Sequence, residues 1–391
     1  MKLIREIRNN PIPCLVTAIV FTTGNTPWFL WKFGAILGFF LSIVLLFKVR
    51  NKLSLIPSNI WIFTLFFLFP IFILLPYFRG SHFSSWIYII VFLCTFCIAE
   101  TQFKKSLDFL TNTLSFVILL SLPLWLIHVF LSPFPIFSTY DLGQFKGGDR
   151  CIMNIYVFFV TNSETYANRF YSIFDEPGVL GTFSAFVLYG NKYRMNWKSI
   201  VILIGGFFTY SMAFYVLTAL GVIITYWHRP AVLMKIALPI AIIGGLGFIY
   251  LKNDMTFQQA VIYRITENNV TDLVESRNAY IVNQYFDKIS QDGKIILGIG
   301  FDKMLDLALF NGSSYKHFII EYGLIGLFTI AFMYFLMLRK RYDFYTWGTY
   351  IMFAASFTQR PLLWSSWQII LFSCLIANVY KRHKKLIVKT K

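Results

Sequence analysis

Charge is what this sequence has least of. Only 14% of its 391 residues are Asp, Glu, Lys or Arg, where a soluble domain carries about a quarter. A soluble globular surface cannot be drawn over a chain this long with so few. Cysteine is scarce too. Of the five, Cys14, Cys94, Cys97 and Cys374 fall in apolar stretches and Cys151 stands alone in a loop, which gives no disulfide framework. Cys94 and Cys97 form a CxxC without further Cys or His beside them and read as packing, so neither a metal ion nor a cofactor is expected. The N-terminus, MKLIREIRNN and then residues 12–30, has the charged-then-apolar form of a secretory signal. It lacks a small-x-small cleavage site, with Pro27 and Trp28 where one would fall, and is expected to stay as a first helix. Internal repeats, low-complexity tracts and an appended soluble domain are also missing, so one integral membrane domain over 1–391 is expected.

What the chain has is apolar length. Its residues are 57% hydrophobic, and they come in blocks such as 60–77 and 231–250 that match the roughly 20 residues needed to cross a bilayer. In lipid the backbone must satisfy its own hydrogen bonds, so these blocks are predicted helices. The expected fold class is all-α, a polytopic membrane bundle of about twelve spans. They are placed near 12–31, 33–47, 59–77, 85–100, 108–132, 178–191, 198–210, 213–228, 232–251, 314–337, 345–358 and 365–379. The 198–228 stretch is compatible with two helices or with one bent helix.

The formal net charge of +17 would suit a nucleic-acid binder, but its position decides otherwise. Most of the basic excess lies in short segments on alternate sides of the apolar blocks, while the short loops of the other side hold only Lys32, Arg79 and Arg360. By the positive-inside rule both termini are cytoplasmic and the span number is even. Two segments on the outer side are too long to be mere connections, about 132–176 and 252–313. They hold thirteen of the 18 acidic residues, and long loops on an economical bundle usually carry function.

The first outer loop ends Arg169-Phe-Tyr-Ser-Ile-Phe-Asp-Glu176-Pro177-Gly178. Proline favours the first helical position and keeps its predecessor out of helical geometry, which puts Glu176 at the N-cap of the sixth span. Its carboxylate is either a simple acidic cap stabilised by the helix dipole or, with Asp175, lines a polar cavity that takes a sugar hydroxyl or phosphate. In the second loop Val270, Leu273, Val274, Ile281 and Tyr285 form one helical stripe with Arg277 in its middle. A guanidinium on a buried face needs an anion: Glu275 or another loop carboxylate, or a bidentate pyrophosphate. Gly298-Ile-Gly300 closes this loop as a tight turn. The tenth span opens Ser313-Ser-Tyr-Lys-His317, with Ser314 as N-cap. His317 and Glu321 share a helix face four residues apart, either as a satisfied pair or as a proton acceptor with its orienting group. Lys316 and Arg360 lie at the same outer level, as interfacial anchors or phosphate ligands. Aromatic residues reach 19%, most of them packing, some able to stack on sugar rings.

The order of these motifs resembles the O-antigen polymerase and ligase superfamily, specifically the Wzy-type polymerases. The resemblance rests on the run Arg169…Phe-Asp-Glu-Pro-Gly178, on Arg277 followed by Gly298-x-Gly300, and on Ser-Ser-Tyr315…Glu-Tyr-Gly-Leu-Ile-Gly326. It implies a metal-independent glycosyltransferase with a GT-C-like bundle in the inner membrane, acting on an oligosaccharide linked to undecaprenyl pyrophosphate. Membrane lipid, and a chain-length regulator protein, would be its partners; nucleic acid would not. It implies that Arg169 and Arg277 hold the donor pyrophosphate, that Asp175, Tyr315, Lys316 and Arg360 bind substrate, and that Glu321 supports the site. Ligases and many polymerases have a His-Asn pair where this chain has Gly312-Ser313, with His317 displaced by a few residues. The general base therefore stays open between Glu176 and His317. An O-antigen ligase and a transporter or flippase of lipid-linked sugars are the rival expectations.

Overall fold

Away from water a continuous apolar segment satisfies its own backbone only as a helix, and the computed structural model of the chain is built mainly that way. It describes residues 10–24, 26–74, 83–142, 151–163, 169–235, 280–307, 314–338, 343–359 and 365–379, with isolated positions between 238 and 258 and residue 309. In chain order the first helices are α1 (Ile12–Thr23), α2 (Gly34–Val49), α3 (Ser58–Leu74), α4 (Phe83–Cys97) and α5 (Glu100–Phe130). Then come α6 (Pro177–Gly190), α7 (Trp197–Phe208), α8 (Met212–Tyr226), α9 (Tyr280–Gln291) and α10 (Phe301–Asp306). The last three are α11 (Tyr315–Met337), α12 (Phe344–Gln359) and α13 (Ser366–Val379).

Each apolar block named above contains one of these helices, except 232–251, most of which lies outside the described residues. Among the described residues three helical stretches are both long and apolar enough to cross a membrane: Gly34–Leu55, Glu100–Phe130 and Tyr315–Met337. The other apolar helices are shorter, at 10–17 residues. The 198–228 stretch is two helices, because Tyr210 takes a left-handed φ of 49° between α7 and α8.

The chain divides into two units. The first comprises residues 1–26, 30–109 and 274–391. Within it α2 packs on α1 and α4, and α13 packs on α1, α4 and α12. Contact is close at Gly24, where a Cβ would run into the Trp367 indole. The second unit comprises 27–29 and 110–273. At its centre is α6, every residue of which is buried, flanked by α7 and α8.

Two expectations are corrected. The bundle is not purely helical, for the first outer loop folds into an antiparallel sheet of β1 (Ser138–Asp141), β2 (Ile152–Ile155) and β3 (Val160–Asn162), in that order. Its strands hold three or four residues each, and alternation is visible only in the burial of Met153 and Ile155. The stripe drawn through Arg277 also put Ile281 on the buried face, yet Ile281 is 48% exposed. The face of α9 that packs on Ile320 of α11 is Val282, Tyr285, Phe286 and Ile289. Tyr285 therefore lies on the packed face as expected, and Ile281, about 100° round the helix from Val282, does not. Arg277 itself and residues 270–274 lie outside the described residues, as does Arg360.

Candidate functional site

In the second unit the polar residues lie on one segment, Arg169 to Glu176, which is tied down along its length. Phe170 donates its N–H to the Phe208 carbonyl at 3.0 Å, and Val160 donates to that of Ser172 at 2.8 Å. The hydroxyls of Ser172 and Ser121 meet at 2.8 Å inside the unit. Trp28 donates its N–H to the Ile173 carbonyl at 2.9 Å.

Arg169 opens the segment half-buried, and its guanidinium works as a helix clamp. Nε donates to the Thr209 carbonyl at 2.9 Å and Nη2 to the Tyr210 carbonyl at 3.4 Å. These carbonyls are at the C-terminal end of α7, where the left-handed Tyr210 interrupts the ladder and a cation is favoured. The idea that only a bound anion makes Arg169 tolerable is therefore corrected: backbone oxygens already receive it. Arg169→Ala is expected to lower stability by about 2 kcal/mol, measured by thermal unfolding in lipid nanodiscs. Arg169→Lys should recover little of it, since an ammonium lacks the planar fork. Unchanged stability with lost affinity for a lipid pyrophosphate would restore the anion-binding role.

Glu176 closes the segment at the N-cap of α6, extended at φ −145° and ψ 122°, with Pro177 behind it. Its carbonyl accepts the Leu180 N–H at 3.2 Å. Its place at the N-cap is as expected, without a capping hydrogen bond from the side chain. Asp175 next to it is half-buried as well.

In the first unit Tyr315, Lys316, His317 and Glu321 share the N-terminal half of α11. Ser314 caps it, accepting the Lys316 N–H at 3.2 Å. Lys316 and Glu321 are both buried. The Lys316 ammonium donates to Asn283 Oδ1 at 3.3 Å and stands 5.3 Å from the centre of the Phe286 ring, a cation–π arrangement. Tyr315 sets its ring edge-to-face against the same Phe286. Lys316 is thus seated on α9 and is more than an anchor at the surface. His317 Nε2 is buried with no hydrogen-bond partner among the described residues, so Glu321 does not orient the ring through that nitrogen.

Beyond Glu321 the helix breaks. Gly323 has φ 67° and ψ −177°, which interrupts the ladder and releases carbonyls of the preceding turn. Ile299 donates to the Ile320 carbonyl at 2.8 Å and Gly300 to that of Glu321 at 3.0 Å. The Gly298-x-Gly300 turn is therefore docked into the gap, so close that a Cβ on Gly298 would lie 2.6 Å from the Glu321 oxygen. Irregular backbone within a membrane helix is tolerated where protein satisfies it in this way.

The sequence reading missed Asn283 and Phe286, which seat Lys316, and the joint role of Gly298 and Gly323. Of these only Gly298 left a trace in the sequence, as part of the Gly298-x-Gly300 turn. No known protein family, curated protein or solved structure matches the chain.

Proposed function

We propose that this chain is a membrane glycosyltransferase that polymerises oligosaccharide units linked to undecaprenyl pyrophosphate, on the outer side of the inner membrane, with both termini cytoplasmic. The observation that carries the reading is Glu176, a half-buried carboxylate held at the N-terminus of the buried helix α6 next to Asp175. A carboxylate so placed suits a general base. Buried Lys316 and Glu321 in a helix of membrane-spanning length support it, because ionisable groups there are costly and kept for function.

In the proposed reaction a sugar hydroxyl of one unit attacks the anomeric carbon of another. The new glycosidic C–O bond forms as the bond to the pyrophosphate breaks. Glu176 takes the hydroxyl proton, and undecaprenyl pyrophosphate leaves. Lys316, with Arg277 and Arg360 from outside the described residues, offsets the charge developing on the leaving group. Asp175 and Tyr315 hold sugar, and His317 is the other candidate for the proton. No metal or cofactor takes part, and a chain-length regulator is a partner of the same reading.

The test uses the purified full chain in proteoliposomes supplied with one lipid-linked oligosaccharide. Products longer by whole repeat units, formed in the presence of a chelator, are the expected result. Transfer of substrate across the bilayer with no product growth would make the chain a flippase and remove the proposal.

A further inference from the structure

The hairpin that joins β2 to β3 has a composition ill suited to water. Its loop is Tyr156-Val157-Phe158-Phe159, without the Gly, Asn, Asp, Pro or Ser that tight turns use. Val157 stands at φ 70°, and a β-branched residue in the left-handed region is a true outlier. The turn is nonetheless firmly made: Tyr156 donates to the Phe159 carbonyl at 2.9 Å, and the Trp28 indole N–H donates to that of Val157 at 2.9 Å. Tyr156 and Phe159 stack on each other, and His128 of α5 packs tilted against both. The fold thus accepts strain to present Val157 and Phe158, both exposed, at its tip.

They are not alone. Phe137 is 66% exposed and Leu131 80% exposed. Phe29 is exposed too, and Trp28 packs against both Phe29 and Phe137. The patch continues an apolar stripe on α5, where Phe116, Leu119, Leu120, Ile127 and Phe130 are exposed. That helix carries its charges, Glu100, Lys104, Lys105 and Asp108, at the other end. The uncharged part from 109 to 131 is roughly 34 Å long at about 1.5 Å per residue, close to the ~30 Å hydrocarbon thickness. Leu131 and the patch beside it then fall at the boundary between acyl chains and headgroups, where aromatic rings gather.

We propose that the hairpin tip, with Phe29, Leu131 and Phe137, is a membrane anchor that inserts into the outer leaflet and holds the first outer loop down on the bilayer. The occupant of the patch is lipid, because the surface prolongs the exposed stripe of a helix of membrane-crossing length and adds no charge to it.

The test places a nitroxide at Phe158→Cys, and separately at Phe137→Cys, on the full chain in vesicles of phosphatidylethanolamine and phosphatidylglycerol. Cys14 and Cys151 are replaced beforehand, while Cys94, Cys97 and Cys374 are buried. Ser163→Cys, roughly 10 Å along β3 from the tip, is the aqueous reference. Both patch positions should collide with oxygen at least about threefold more, relative to a water-soluble nickel chelate, than the reference does, as expected for a group inside the interface. Equal nickel access at 158, 137 and 163 would overturn the proposal. Exclusion of both reagents, the mark of a protein partner or a second copy over the patch, would overturn it as well.

Discussion

Replacing Gly323 with alanine should destabilise the first unit by about 3 kcal/mol or more. At φ 67° an L-residue is strained, and a Cβ there would overlap the Ile296 carbonyl oxygen and the Leu297–Gly298 peptide. Nothing at the site can give way cheaply, since every obstructing atom is backbone. The Gly298-x-Gly300 turn would have to withdraw, leaving the Ile320 and Glu321 carbonyls without the N–H groups that now meet them. Each orphaned carbonyl within a membrane helix adds a cost of its own. Thermal unfolding of the full chain in nanodiscs should show a midpoint lower by roughly 6 °C or more. Gly245→Ala is the control: the position is helical and exposed, with nothing among the described residues within 4 Å of an added Cβ. It should be neutral or gain up to about 1 kcal/mol from helix propensity. Equal midpoints for the two variants would mean that the break does not hold the turn in place.

That break marks the limit of what the sequence discloses. Helices are legible wherever a block is uniformly apolar, because lipid leaves the backbone no alternative, and Pro177 announces the start of α6 and the N-cap place of Glu176. Gly323 announces nothing, since glycine is ordinary in membrane helices and its partner turn lies some twenty residues earlier. Arg169 reads as the holder of a bound pyrophosphate, and nothing nearby in the sequence points to the carbonyls of Thr209 and Tyr210, forty residues on. The sheet escaped because strands of three or four residues give too few positions for a period of two to be seen. Lys316 was legible as an ionisable residue at the outer end of a span. Its seat on Asn283 and Phe286 was not, because both lie on a separate helix, α9. For Lys316 the local pattern was readable and the distant partner was not.

Glu176→Gln should abolish polymerisation while leaving the fold intact. The amide is nearly isosteric with the carboxylate and keeps an acceptor oxygen in place, so the thermal midpoint should move little. As the proposed base, its loss should lower the rate of repeat-unit joining by about 10²–10⁴, with binding of the lipid-linked substrate nearly unchanged. His317→Gln is the paired variant, for its buried Nε2 is the other candidate acceptor. If Glu176 carries the proton, His317→Gln should cost no more than about tenfold, the loss of a positioning contact. The opposite ranking would move the base to α11. Equal and small losses from both variants, in proteins that still bind substrate, would leave the attacking hydroxyl without a base in either unit and defeat the glycosyltransferase reading.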